Sequence, residues 1–227
     1  WVINSSQLSP RFEKKIEDNS RVGLVNGLAV HGPNTGALLE IEVTVIPSQK
    51  EKGTINITGI VEEESIGDRS KSIRRKSMAK GSIENVITVL RSMGIQADDY
   101  DIHVNFPGGT PIDGPSAGIA MATGIFSAIH KIAISNKVAM TGEISIHGNV
   151  KPIGGVIPKI KAAKKAGADI VIIPKENMQS ILKEIDGITI IPVTNLQEVF
   201  DIALVDPPTE KPLQHEDSPS FPHQESV

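Results

Sequence analysis

The chain has 227 residues, enough for one sizeable domain with a real core, and no cysteine, which removes disulfides, zinc–thiolate sites and cysteine-based catalysis. Hydrophobic residues make up 39% and charged residues 22%, and the formal net charge of −4 exerts no general pull toward nucleic acid or acidic lipid. No apolar run approaches the ~20 residues that a membrane span requires.

The first residue is Trp rather than Met and no leader pattern follows, so the expectation is a fragment of a longer chain. Residues 1–20 are polar and irregular, a linker or arm with a short helical piece at PRFEKKIED. From Arg21 the pattern turns extended. VGLVNGLAV is Gly-broken, and ALLEIEVTVIP alternates Leu39, Ile41, Val43 and Val45 with Glu40, Glu42 and Thr44, the period of a half-buried strand. GTINITGI, with turn residues on both sides, is a third strand. SKSIRRKSMAKGSIENVITVLRSMG then carries Ala79, Ile83, Val86, Ile87, Leu90 and Met93 at helical spacing, with Gly94 placed to end the helix. Its basic start, Lys71 to Lys80, is compatible with a nucleic-acid patch, but a solvated helix face beside the acidic Glu62–Glu64 run is the plainer expectation.

DIHVNF (101–106) is a strand, and the Gly/Pro-rich loop after it runs into the apolar helix PSAGIAMATGIF. KVAMTGEISIHGNVKPI is extended, with a turn at Gly148-Asn149, and IPKIKAAKKAGA is a helix with Pro158 in its first turn. The strand DIVIIP, a short helix from Lys175 to about Lys183, the strand ITIIPV and a helix at NLQEVFDIAL complete a domain spanning 21–205. Residues 206–227, rich in proline and charge, are expected to be a disordered tail in which His215 and His223 are solvated. Strands come first and then mix with helices, without internal repeats, so the expected class is α+β.

One hydroxyl stands at the join of loop and apolar helix. Pro115 suits a first helical position and Gly114 permits the tight entry, which puts Ser116 in the first turn, where free N–H groups and the helix dipole favour negative charge. Such a serine is either an ordinary cap or a nucleophile, and a nucleophile needs a base. His31, His103, His130 and His147 are available, but no spacing selects one, and the G-x-S-x-G elbow is absent.

Lysine is the other base known to serve serine. At about 100° per residue, Ala162, Ala163, Ala166 and Gly167 lie within roughly 80° of Lys159, while Lys161, Lys164 and Lys165 lie on the far side. Lys159 therefore sits in the small, apolar face, where burial disfavours the ammonium form and lowers its pKa toward neutrality. The alternative is a lysine that snorkels to water from the first turn. SMAK (77–80) and SILK (180–183) also match S-x-x-K, but without the companion S-D-N and K-T-G both are set aside.

With both residues in view, the segments PGGTPIDGPSAGIAMAT and VAMTGEISIHGNVKPIGGVIPKIKAAKKAGADIVIIPKEN resemble the proteolytic domain of Lon proteases, from about Arg21 to Val205. DGPSAG is the form of the bacterial-type enzymes. The resemblance implies the fold of the second domain of ribosomal protein S5 and a serine endopeptidase with Ser116 as nucleophile and Lys159 as general base. It further implies that Thr141 orients the lysine and that Asp113 shapes or gates the site. It suggests that an extended substrate pairs with HVNFPGG, at His103, Asn105, Phe106, Pro107 and Gly108. Family membership would bring unfolded or damaged protein substrates, a hexameric ring in the full-length protein, a role in protein quality control and a cytoplasmic location. No metal is expected, nor a nucleic-acid partner. ATP and Mg belong to an unfolding module absent here, since the chain has no G-x-x-x-x-G-K-[ST] loop. The rival is a non-catalytic Lon-like module serving as an oligomerisation or nucleic-acid scaffold, for which the serine and lysine need not both be present. A self-cleaving Ser–Lys protein is a third possibility.

Overall fold

The computed structural model describes residues 15–31, 34–59, 63–66, 73–76, 78–107 and 115–205. Strands β1 (Leu24–His31), β2 (Thr35–Pro47) and β3 (Ile55–Thr58) are followed by a small hairpin of β4 (Glu63–Ile66) and β5 (Ile73–Lys76), helix α1 (Met78–Ser92) and strand β6 (Tyr100–Asn105). A 3-10 turn at Pro115–Ala117 leads into α2 (Gly118–His130), then β7 (Ala133–Ile134), β8 (Val138–Met140), β9 (Glu143–Ile144) and β10 (Val150–Lys151). Next come α3 (Val156–Ala166), β11 (Ile170–Pro174), β12 (Thr189–Val193), α4 (Leu196–Ala203) and β13 (Leu204–Val205).

Among the described residues, seven strands form one mixed sheet in the order β12-β11-β8-β1-β2-β6-β3. β1, β2 and β6 are antiparallel neighbours, whereas β1, β8, β11 and β12 run parallel. β8 and most of β11 are buried on both faces, which is why VAM and IVIIP lack polar alternation. On one face Leu39, Ile41, Val43 and Val45 pack with α1, α2 and α4, through residues such as Val86, Leu90, Ile119, Ile125 and Val199. On the other, Leu28, Ala139, Val171 and Ile173 pack with Val156, Ile160 and Ala163 of α3. The helix beginning beside Ser116 and the helix carrying Lys159 therefore lie on opposite faces of the sheet.

The expected mixture of helix and sheet holds, and α2 is buried along almost its whole length. Three expectations need correction. The helix in SKSIRRKSMAKGSIENVITVLRSMG begins only at Met78, because the apolar helical period starts there; Ile73–Lys76 ahead of it pairs as a strand with Glu63–Ile66. Arg74, Arg75 and Lys76 of the basic stretch thus lie on a strand rather than a helix, in register with Ser65, Glu64 and Glu63, while Lys80 is in the first turn of α1 and Lys71 lies outside the described residues. The segment from Lys175 to Lys183 is two 3-10 turns, Lys175–Asn177 and Ser180–Glu184, separated by an extended step at Met178, which packs into the second core. Lys15–Ser20 is not a free arm but is tied to the domain, with Ile16 N donating to Ala166 O at 3.0 Å. The tail at 206–227 lies outside the described residues, as do Gly108 and Asp113.

Candidate active site

β8 ends at Met140, and the next two residues gather the site. Thr141 N donates to Ile172 O at 3.1 Å, locking the strand end to β11. Gly142 N donates to Ser116 O at 2.8 Å and Gly142 O accepts from Ile119 N at 3.1 Å, so the start of α2 is clipped to the sheet by backbone alone. Gly118 must lack a side chain: a Cβ there would lie 2.9 Å from Ile144 N. Ser116 itself is half-buried in the 3-10 turn ahead of α2, one step earlier than a position inside the α-helix.

From the other face, α3 is preceded by Gly155 at its N-cap in the left-handed conformation (φ 65°), and Lys159 N donates to Gly155 O at 3.2 Å. The helical wheel holds. Lys161, Lys164 and Lys165 are exposed, while Lys159 is 2% exposed. Its chain passes the end of β8 and Nζ donates to Ser116 Oγ at 2.9 Å and Thr141 Oγ1 at 3.1 Å. Burial lowers the Lys159 pKa from 10.5 to about 8, and among the described residues no carboxylate contributes to hold the ammonium form.

The hydroxyl of Thr141 settles the direction of these bonds. Thr141 Oγ1 donates its hydrogen to Ser116 O at 3.2 Å, so its oxygen is free to accept from the amine. A neutral Lys159 that keeps one N–H on Thr141 has its lone pair left for the Ser116 hydroxyl. Thr141→Val should therefore lower kcat about tenfold with little change in KM and cost about 1 kcal/mol of stability, checked by peptide-hydrolysis kinetics and thermal melting. An unchanged kcat would leave Thr141 without an orienting role.

The strand-pairing residues need correction. β6 is flanked by β2 and β3, so His103 and Asn105 have both backbone edges occupied and cannot add a further strand. Phe106 is 1% exposed and belongs to the core; Pro107 is half-buried just after it. Asn105 stands level with Leu24 through Glu42, whereas Thr141 follows Met140, which pairs with Gly27. That separation, three strands across and four residues along, is on the order of 20 Å. His103 and Asn105 instead line a separate groove of about 500 Å³ with Arg21, Glu42 and Thr44. There His103 Nε2 lies 3.0 Å from Thr58 Oγ1, which donates to Asn105 Oδ1 at 2.7 Å, and Asn105 Nδ2 donates to Glu42 Oε2 at 2.7 Å. Local alternation in HVNF shows a strand but not the two strands beside it. His130, at the far end of α2, packs at a tilt against Phe126 with ring centroids 4.2 Å apart, a packing role.

Two site residues had no sequence signal. Gly142 acts through its backbone, and Gly36 on β2 leaves room for α3, since a Cβ there would lie 2.0 Å from Pro158 O. Among the described residues no cluster of acidic or histidine side chains could hold a metal ion, and no helix is long and apolar enough to cross a membrane.

Residues 6–206 match the family model of the Lon protease (S16) C-terminal proteolytic domain. The chain is 72% identical over 215 residues to Lon protease 2 of Bacillus subtilis, covering 95% of this chain and 39% of that relative. It is 37% identical over 220 residues to the archaeal Lon protease of Halobacterium salinarum, covering 94% of this chain and 29% of the relative. Lon protease 3 of Sorangium cellulosum is 36% identical over 200 residues, covering 84% of this chain and 22% of the relative. The chain thus spans well under half the length of these proteins.

Proposed function

Since the chain belongs to the Lon protease proteolytic-domain family, we propose that it is a serine endopeptidase in which Lys159 is the general base and Ser116 the nucleophile. The observation that carries this reading is the buried Lys159 amine, 2.9 Å from Ser116 Oγ and with no carboxylate partner among the described residues. Neutral Lys159 takes the Ser116 proton as Oγ bonds to the peptide carbonyl carbon. Backbone N–H groups at the serine turn stabilise the oxyanion. The C–N bond breaks, the departing amine takes the proton from Lys159, and Ser116 is left as an ester. Water, losing its proton to Lys159, attacks the ester and restores both residues.

The same reading gives Asp113 a role in shaping the site and extends the fold to the second domain of ribosomal protein S5. In the full-length protein we place the domain in a cytoplasmic homohexameric ring that degrades unfolded or damaged proteins, with ATP and Mg used by a separate module. The relatives' names support the protease assignment, and their greater length leaves room for a further module.

A serine-directed acylating inhibitor followed by peptide mapping should find the label on Ser116. The labelling rate should rise with pH through about 8, as Lys159 loses its proton. Label on another residue, or a rate flat from pH 6 to 9, would sink the assignment.

A further inference from the structure

We propose that Asn136 is a positioning residue, fastening the segment Lys15–Arg21 to the start of β8 and so setting where Lys159 and Thr141 stand relative to Ser116. The catalytic consequence rests on the peptidase reading above.

Asn136 is a four-bond knot. Its Nδ2 donates to Glu17 O at 2.8 Å, its Oδ1 accepts from Ser20 Oγ at 3.2 Å, and its backbone N donates to that same Oγ at 3.2 Å. Its carbonyl accepts from Asn26 Nδ2 on β1 at 2.9 Å, and Asn26 Nδ2 also reaches Val138 O at 3.3 Å. Asn26 is a buried polar side chain, so these bonds are costly to break.

Two lines run from this knot to the lysine. Along the chain, Asn136 is five residues from Thr141, the intervening Val138–Met140 being a strand buried on both faces, and Thr141 holds Lys159 Nζ. Through the strap, Ile16 N donates to Ala166 O at the last residue of α3, seven residues or about 10 Å from Lys159. Next to the knot, Lys137 O accepts from Asp169 N at 2.9 Å and Ile170 N at 3.1 Å, so the turn after α3 is tied to the same point. Close-packed elements of this kind transmit small displacements rather than absorb them. Ser116 and Thr141 are the side chains bonded to Lys159 Nζ among the described residues, and the other lysines of α3 face outward. A shift of α3 is therefore felt first as water reaching the amine.

The test compares Asn136→Ala and Ser20→Ala with the parent chain, each confirmed folded by thermal melting. Ser20 is exposed, so its removal cuts the strap side of the knot without opening the core. Asn136→Ala should lower kcat for a fluorogenic peptide about five- to tenfold at pH 7.5 with KM within about twofold, and move the pH midpoint upward by about one unit, because a hydrated lysine keeps its proton longer. Ser20→Ala should change both in the same direction by less. Independently of activity, amide hydrogen exchange at Thr141 and Lys159 should quicken about tenfold in Asn136→Ala. Folded variants with parental exchange at those amides overturn the proposal. So do variants with parental kcat and pH midpoint in a parent that cleaves. A parent that fails to cleave, with the exchange result as expected, counts against the peptidase reading alone.

Discussion

Replacing Lys159 with Met should abolish peptide hydrolysis, by about 10³-fold or more, while making the domain more stable at neutral pH. The loss follows because no other described group hydrogen-bonds the Ser116 hydroxyl, leaving no base to receive its proton. The gain follows from burial. At pH 7 the lysine is protonated in both folded and unfolded chains, and the folded chain bears the cost of a charge that is 2% exposed. A pKa lowered from 10.5 to about 8 sets that cost on the order of 3 kcal/mol, from which two hydrogen bonds at about 1 kcal/mol each must be subtracted, leaving about 1 kcal/mol in favour of Met.

The sign is checkable against pH. Between about 8 and 10.5 the unfolded parent holds a proton that the folded parent has released, so parental stability rises through that window. The Met variant lacks this rise, and its advantage should fade above pH 10. Denaturant melts of the two proteins at pH 7 and pH 10 decide the matter. A Met variant that is less stable at pH 7 would mean that Lys159 is held by a partner that favours its charge.

Gly36→Ala, a change of one methyl group on β2, should cost about 10² in kcat although residue 36 touches neither substrate nor dyad. The added carbon would lie 2.0 Å from Pro158 O, 2.5 Å from Pro158 C and 3.0 Å from Ala162 Cβ, all in α3. Two of those atoms are backbone, so no side chain can swing aside, and the helix itself must lift from the sheet. Pro158 immediately precedes Lys159, so the lift carries the amine away from Ser116 Oγ. The overpacking should also cost about 1–3 kcal/mol, seen as a lower denaturant midpoint at unchanged slope. Parental kcat in this variant would mean that the site tolerates displacement of α3.

What could be read in the chain without coordinates was what recurs locally. The apolar period of α2, the alternation of Leu39 to Val45 and the isolation of Lys159 from the other lysines of α3 are facts about neighbours a few positions apart. Thr141 carried no such signal, and only family resemblance pointed to it. The placement of β6 between two other strands depends on sheet order, which periodicity does not encode. The hairpin at Glu63–Lys76 was hidden because charged residues on paired strands and on a solvated helix look alike in sequence. Gly36 and Gly142 escaped because their contribution is the space or the backbone they leave available.

Because Lys159 and Ser116 approach from opposite sides of the sheet and are 43 residues apart in sequence, the two can meet only when β8 is seated between β1 and β11. A nascent chain still lacking Ile172 has nothing to receive the Thr141 amide, and its half-built centre is inert. On the peptidase reading, competence to cut would therefore arrive only once β11 is in place, which would spare the earlier nascent chain from digesting itself or its siblings.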